Sequence, residues 1–146
     1  MCIRDSLSPD GTRLAVTIFA GSQGTADIWI FDLTRGTGTR LTFSTASPAN
    51  QTTPVWTPDG KTVFYASSVK GAPHIYAKAA DGSSPERAVL EGTDSFEYPR
   101  SISPDGRYLV YERKVPKSET GYHLWALPLF GDGKSFPCLL YTSRCV

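Results

Sequence analysis

Short runs of β-branched and aromatic residues, separated by polar turn sequences, dominate the hydrophobic pattern of this 146-residue chain. Residues 62–67 (TVFYAS) are almost continuously apolar, which is typical of a strand that is buried on both faces. Residues 74–79 (HIYAKA) alternate, which indicates a neighbouring strand with one buried face. The pattern therefore predicts an all-β fold.

One four-residue turn sequence, Ser or Thr followed by Pro-Asp-Gly, interrupts the pattern three times. The copies begin at residues 8, 57 and 103, that is, 49 and 46 residues apart. Proline fixes φ, aspartate hydrogen-bonds to nearby backbone and glycine accepts a positive φ, so each copy predicts a hairpin turn. A repeat of this length is expected for the four-stranded blade of a β-propeller.

The middle repeat supplies the plan for the other two. We expect its four strands at residues 53–57, 62–67, 74–79 and 86–90. In the first repeat we expect the inner strand before Ser8 to be missing, and in the third the outer strand begins near residues 135–137. Closed propellers have about 4 to 8 blades. The sequence therefore predicts a partial β-propeller of about three four-stranded antiparallel blades that form an open arc.

The two ends of the chain resemble translated linker DNA. Residues 1–6 back-translate to ATGTGTATAAGAGACAG, and residues 138–143 to the reverse complement of that word with two further bases. The word resembles the transposase end sequence used in sequencing-library preparation. We therefore expect residues 1–6 and 138–146 to be adaptor and exclude them from fold reasoning. Residues 7–137 then form the propeller segment, with blades at approximately 7–45, 52–92 and 96–137.

Composition and charge narrow the classes of function. The three cysteines, Cys2, Cys138 and Cys145, lie in the expected adaptor ends, so they indicate no disulfide, zinc site or nucleophile. The chain has 15 basic and 14 acidic residues, which gives no electrostatic reason to expect nucleic acid or anionic lipid as a partner. No apolar run approaches the roughly 20 residues of a membrane helix, and we expect no direct membrane contact.

A search for catalytic motifs finds no Gly-x-Ser-x-Gly elbow, phosphate-binding loop or dinucleotide fingerprint. We therefore expect no catalytic residue, no cofactor and no metal ligand in this segment. The recurring Asp10, Asp59 and Asp105 are explained by turn chemistry better than by a ring of cation-binding carboxylates. Matched positions in the repeats likewise favour a packing role for the tryptophans over ligand stacking.

Two groups of residues are candidates for recognition. Glu97, Tyr98 and Arg100 start the inner strand of the third blade and combine an acceptor, an apolar plate and a fork-shaped donor. His74 and His123 start the third strands of adjacent blades, where Asp27 holds the equivalent place in the first. A metal shared by the two histidines is the alternative to a structural role, but two imidazoles alone make an incomplete zinc site.

The Pro-Asp-Gly hairpins, the third strands beginning Asp27-Ile-Trp and His123-Leu-Trp, and the Thr39-Arg-Leu-Thr link together resemble the WD40-like repeats of TolB-type β-propellers. The resemblance covers Leu7 to about Pro137. It implies a fragment of a larger TolB-like protein or of the propeller attached to a bacterial transmembrane serine/threonine kinase. Periplasmic or extracytoplasmic location is favoured by this resemblance alone.

The resemblance implies a non-catalytic scaffold that binds a protein or peptide. The alternative is the substrate-gating propeller of a prolyl oligopeptidase-type serine peptidase, whose hydrolase domain would lie outside this segment. A third, weaker alternative is a lyase or glycan-processing propeller with a channel metal. We expect no defined oligomer from the sequence, although an open arc exposes blade faces that favour self-association.

Overall fold

The computed structural model describes residues 5–20, 24–43, 49–90, 94–114, 121–131 and 133–138, and all regular structure in these ranges is β-strand. The first sheet contains β1 (Asp5–Leu7), β2 (Arg13–Ala20), β3 (Thr25–Asp32) and β4 (Thr37–Arg40). The second contains β5 (Gln51–Trp56), β6 (Thr62–Ser67), β7 (His74–Ala79) and β8 (Arg87–Ala88). The third contains β9 (Phe96–Ile102), β10 (Tyr108–Lys114), β11 (His123–Pro128) and β12 (Phe136–Pro137).

Each sheet is an antiparallel meander, in which every strand pairs with the next strand along the chain. Three four-stranded antiparallel sheets confirm the predicted fold class, a partial β-propeller. The outer strands are short: β8 and β12 have two residues each, so the outer strand of the middle blade is shorter than its sequence pattern indicated. Short outer strands limit the row of unpaired backbone groups that an edge presents.

The first sheet differs from its prediction at the inner strand. That strand was expected to be missing, yet Asp5, Ser6 and Leu7 pair with residues of β2 in a three-residue ladder. Such pairing uses backbone N–H and C=O groups, so it depends little on side-chain identity. The Ser6 carbonyl also accepts a 2.7 Å hydrogen bond from the indole Nε1 of Trp56 in the second sheet. A short strand is therefore enough to complete the sheet.

The second sheet lies between the other two, and β6 is buried on both faces. Because side chains alternate along a strand, Val63 and Tyr65 face the first sheet while Phe64 faces the third. The core cluster between the first two sheets is formed by Ala15, Ile28, Ile30, Leu41, Trp56, Val63, Tyr65, Tyr76 and Ala80. The cluster between the second and third sheets is formed by Phe64, Ile75, Ala77, Leu109, Tyr111 and Leu127.

The three Pro-Asp-Gly turns share one hydrogen-bond arrangement. In the first turn Ser8 Oγ donates to Asp10 Oδ1 at 2.6 Å, and the backbone N–H of Thr12 donates to the same oxygen at 3.0 Å. Thr57 and Asp59 repeat the first of these bonds at 2.6 Å. The turn glycines have φ values of +71° at Gly11, +66° at Gly60 and +72° at Gly106. The aspartates therefore act within the turns, and glycine is needed for the left-handed backbone.

These turn hydrogen bonds hold the pKa of Asp10 down. The Ser8 hydroxyl is the largest cause, the Thr12 backbone and hydroxyl add to it, and together they lower the pKa from 3.8 to about 2. The same kinds of bond lower the pKa values of Asp59 and Asp105. Since a hydrogen bond to the charged form favours ionisation, all three carboxylates stabilise their turns at neutral pH.

Replacing Leu109 by alanine should test the packing between the second and third sheets. Leu109 is fully buried, so Leu109→Ala leaves a cavity and should lower the free energy of unfolding by about 2–5 kcal/mol in urea denaturation. The control is Leu33→Ala, at a residue that is 50% exposed, which should change it by less than about 0.5 kcal/mol. Equal effects of the two substitutions would contradict the packing.

Replacing Ser8 by alanine should raise the pKa of Asp10 toward 3.8, because it removes the strongest hydrogen bond to the carboxylate. Carbonyl-carbon NMR titration measures the change, and Asp105 in the third turn serves as the internal control. A lowered folded-state pKa means that the carboxylate's stabilisation is present above pH 4 and is lost as the pH falls toward 2. An Asp10 that titrates near 3.8 in the unsubstituted chain would refute this turn arrangement.

Candidate functional site

A cleft of about 570 Å³ lies where all three sheets contribute side chains. It is lined by Thr17 and Phe19 of β2, Thr52 and Thr53 of β5, Tyr98 and Arg100 of β9, Glu112 of β10, and Tyr122. The inner strands β5 and β9 supply half of this lining. Side chains alternate along β9, which explains why only some of its residues line the cleft. Glu97 and Pro99 are buried in the protein, while Tyr98 and Arg100 line the cleft.

Three buried polar atoms belong to residues that line the cleft. Thr17 Oγ1, Thr53 Oγ1 and Arg100 Nε have no hydrogen-bond partner among the residues that the structure describes. A buried donor or acceptor left in this state costs about 1–3 kcal/mol, so native proteins keep few of them. Three such atoms among the residues of one cleft make it the candidate functional site.

Backbone strain coincides with the same cleft. Thr53 has a φ of +55°, and it is the one non-glycine residue with positive φ in the described ranges. A β-branched residue there costs roughly 1–3 kcal/mol, and such strain is found mostly at functional sites. The pairing of β5 with β6 shifts register between Thr52 and Val55, so Thr53 lies in a β-bulge.

Charged and aromatic groups complete the lining. Arg100 Nη2 donates to Glu112 Oε2, and both side chains are about a quarter exposed. The rings of Tyr98 and Tyr122 meet edge to face with centroids 6.1 Å apart. Burial raises the pKa of Tyr98, and the neighbouring Tyr122 adds to this shift. Tyr98 therefore stays a neutral hydrogen-bonding phenol at physiological pH.

Glu97 lies outside the cleft, in a buried polar cluster between the second and third sheets. Its side chain is 1% exposed, and Oε2 is 3.4 Å from His74 Nδ1. Oε1 accepts a hydrogen bond from Ser95 Oγ at 3.1 Å and lies 3.5 Å from Arg113 Nε. The backbone N–H of Glu97 also donates to Pro73 at 2.8 Å. Glu97 therefore links strand β7 to strands β9 and β10.

The first pair of sheets is linked at the equivalent position. Asp27 is 2% exposed and accepts hydrogen bonds from Arg40 Nη2 at 2.5 Å and Thr42 Oγ1 at 3.1 Å. The Gln51 side-chain amide has one orientation in which both its oxygen and its nitrogen find hydrogen-bond partners. In that orientation the nitrogen donates to Asp27 Oδ1 at 2.9 Å. Gln51 and Glu97 each lie six residues before a turn, so the same inter-sheet link occurs twice.

The five residues predicted from the sequence are thus divided between two places. Tyr98 and Arg100 line the cleft, while Glu97 and His74 meet in the buried cluster. His123 is half-buried, lies opposite Arg113 in the ladder between β10 and β11, and is not part of the cleft lining. A recognition role for these residues remains a prediction.

Sequence reasoning missed six of the lining residues: Thr17, Phe19, Thr52, Thr53, Glu112 and Tyr122. Thr53 precedes Pro54, and because a proline favours extended backbone with negative φ at the residue before it, nothing in the sequence indicated the positive φ of Thr53. The other five reach the cleft only through the stacking of sheets.

No group of three or more histidine, cysteine, aspartate or glutamate side chains in the ranges that the structure describes is placed to hold a metal ion. Nor does any helix in the same part of the chain have the length and apolarity to cross a membrane.

Comparison with known proteins gives the family. The sequence pattern described as "TolB beta propeller domain" matches residues 1–123. The chain belongs to the TolB β-propeller family. The Tol-Pal system protein TolB of Wolinella succinogenes is 28% identical over 120 residues, which are 82% of this chain and 26% of that protein. The chain therefore spans about a quarter of the length of this curated relative.

Solved structures agree on the fold. A putative TolB from Agrobacterium tumefaciens matches with a TM-score of 0.78 and 22% identity, over 94% of this chain and 49% of that one. TolB from Acinetobacter baumannii matches with a TM-score of 0.73 and 23% identity, over 92% of this chain and 31% of that one. Prolyl oligopeptidase B from Galerina marginata shares the fold at a TM-score of 0.61 and 16% identity, over 91% of this chain and 21% of that one. The segment is a TolB-like propeller scaffold.

Replacing Glu97 by alanine should weaken the link between the second and third sheets. Without the carboxylate, His74 and Arg113 lose their shared partner, and the free energy of unfolding should fall by up to about 3 kcal/mol. Glu97→Gln keeps the shape and an acceptor oxygen and should cost less. Urea denaturation measures both variants. If neither differs from the unsubstituted chain by more than about 0.5 kcal/mol, the link does not stabilise the fold.

Proposed function

We propose that this propeller segment is a non-catalytic scaffold that binds an extended segment of a partner protein in the cleft. The observation that carries the proposal is that three residues lining the cleft have a buried polar atom, Thr17 Oγ1, Thr53 Oγ1 and Arg100 Nε, without a partner among the described residues. A polypeptide backbone offers a donor and an acceptor at each residue, so it can satisfy hydroxyl groups and a guanidinium together.

The position of Arg100 supports this choice of ligand. Its Nη2 is held by Glu112, which fixes the plane of the guanidinium and leaves the Nε–H as a donor. Because Glu112 offsets the positive charge, the pair favours a peptide carbonyl over a free anion. A donor whose charge is offset in this way orients the bound peptide through its hydrogen bond. It adds little general electrostatic attraction for the peptide.

The apolar part of the lining supports a side-chain contact. Tyr98 and Tyr122 form an aromatic corner, and Phe19, which is 52% exposed, contributes a third ring from β2. The cleft, at about 570 Å³, has the usual size of a ligand site, and its lining combines these three rings with hydroxyl and charged side chains. An apolar side chain of the bound segment would pack against these rings while its backbone reaches Thr17 and Arg100.

The gating propeller of a serine peptidase is the second candidate. The likeness to prolyl oligopeptidase B is at 16% identity and shows the fold alone. The full reading frame distinguishes the two proposals, because a peptidase requires a Gly-x-Ser-x-Gly hydrolase domain fused to the propeller.

Selection from a random peptide display library should enrich binders on the unsubstituted chain. Arg100→Ala removes a charged donor and should weaken the selected peptide about 10- to 100-fold in isothermal titration. Thr17→Val removes one hydroxyl at constant shape and should weaken it up to about tenfold. Thr39→Val in the outer strand β4 is the matched control and should leave affinity unchanged.

Circular dichroism checks that each variant keeps its β-sheet content. The proposal fails if no peptide is enriched, or if the selected peptides bind the Arg100 and Thr17 variants as tightly as the unsubstituted chain.

A further inference from the structure

Each Pro-Asp-Gly turn contains an aspartate followed by glycine, the sequence that is prone to form isoaspartate. The glycine nitrogen attacks the aspartate Cγ, a C–O bond of the carboxyl group breaks, and one water leaves, which gives a succinimide ring. A second water then opens the ring at either carbonyl, so part of the product carries the main chain through the side-chain carboxyl. Glycine has no side chain to shield its nitrogen. The pairs 10–11, 59–60 and 105–106 are therefore candidate modification sites.

Solvent access does not protect these sites. Asp10, Asp59 and Asp105 are all exposed at the surface, and water is the co-reactant of ring opening. The difference from an Asp-Gly pair in an unfolded chain must therefore come from the hydrogen bonds of the turns.

The attacking nitrogen is held in all three turns. A backbone nitrogen becomes nucleophilic only after it loses its proton, and each turn glycine donates that N–H to the carbonyl oxygen three residues earlier. The distances are 2.8 Å from Gly11 to Ser8, 2.9 Å from Gly60 to Thr57 and 2.8 Å from Gly106 to Ser103. Ring closure must therefore break the hydrogen bond that closes the turn.

The aspartate carboxylate is held by two donors in each turn. The first is the hydroxyl two residues before the aspartate, which we call the opening hydroxyl. Its distances to Oδ1 are 2.6 Å from Ser8, 2.6 Å from Thr57 and 2.5 Å from Ser103. The second is the backbone N–H two residues after the aspartate, at 3.0 Å in all three turns. Both donors favour the ionised carboxylate, whereas the loss of water requires the protonated acid.

The opening hydroxyl is itself fixed by the strand that follows the turn. It accepts the backbone N–H five residues later, at 2.9 Å from Arg13, 3.0 Å from Thr62 and 2.9 Å from Tyr108. A hydroxyl that accepts from the strand keeps its one proton for an acceptor. In the second turn the Thr62 carbonyl is 3.1 Å from this hydroxyl, farther than the Asp59 carboxylate. The aspartate is therefore the better acceptor for that proton.

We propose that the opening hydroxyl of each turn protects the following Asp-Gly bond from isomerisation to isoaspartate. It helps to keep the carboxylate ionised and hydrogen-bonded, while the turn keeps the glycine nitrogen protonated. An isoaspartate would add a main-chain carbon at a hairpin turn, where loop length sets the register of the strands. No residue of these turns lines the cleft, so this proposal does not rest on the proposed function.

Incubation of the full 146-residue chain at neutral pH tests the proposal. Peptide mapping quantifies isoaspartate at each turn, because isoaspartyl peptides resist the endoproteinase that cleaves before aspartate. In the folded chain all three turns should isomerise more than about tenfold more slowly than in urea, since two kinds of hydrogen bond must break. Ser8→Ala should raise the rate at Asp10 about 3- to 10-fold, the effect of one lost hydrogen bond, and leave Asp59 and Asp105 unchanged.

Thr34→Ala is the matched control. It removes an equivalent bond of 2.6 Å, from Thr34 Oγ1 to Asp32 Oδ1, but Leu33 follows that aspartate and its side chain shields the nitrogen. This substitution should therefore produce no isoaspartate at Asp32. Thr57→Ser keeps an opening hydroxyl and should keep the protection of Asp59.

Thr57→Ala and Ser103→Ala keep the test decisive if Ser8→Ala is weakly folded. A local effect accelerates only the substituted turn, whereas unfolding accelerates all three turns together. The proposal is overturned if the turns isomerise as fast in the folded chain as in urea. It is also overturned if the three alanine variants leave the rate at the substituted turn unchanged, lower it, or raise the rate equally at every turn.

Discussion

The structure depends on the burial of strand β6 from both sides. Tyr65 and Phe64 are neighbours in sequence and point to opposite faces, and each is covered by a different neighbouring sheet. Burying a large aromatic or aliphatic side chain contributes on the order of 1.5–3 kcal/mol, so these two contacts between sheets outweigh any single surface interaction. The orientation of the first and third sheets, and hence the cleft to which both contribute, follows from this stacking.

Polar links at the start of the third strands orient the stack. Apolar faces slide easily, because the hydrophobic effect has no direction. Asp27 with Gln51, and His74 with Glu97, join each sheet to the next through buried groups that require particular partners. Leaving a buried polar group without its partner costs free energy. These links therefore stabilise one particular arrangement of the sheets.

Much of the fold could be predicted from the sequence, and much less of the cleft could be. Repeated turns and strand patterns are local signals, and three turns in one register indicated a stack of four-stranded sheets. The inner strand at Asp5–Leu7 escaped prediction because residues 1–6 were excluded from fold reasoning as expected adaptor, and because backbone pairing leaves little trace in side chains. Tyr98 and Arg100 were found from residue type, whereas Glu97 is turned inward by strand alternation, and Thr17 reaches the cleft only through stacking.

Backbone NMR of the chain with a peptide selected from the display library tests the central claim most directly. We expect the chemical-shift changes to concentrate at Thr17, Thr53, Tyr98 and Arg100, and the amides of β6, which contributes no residue to the lining, to change little. Saturable changes confined to the outer strands β4 or β8, with none at the cleft, would contradict it.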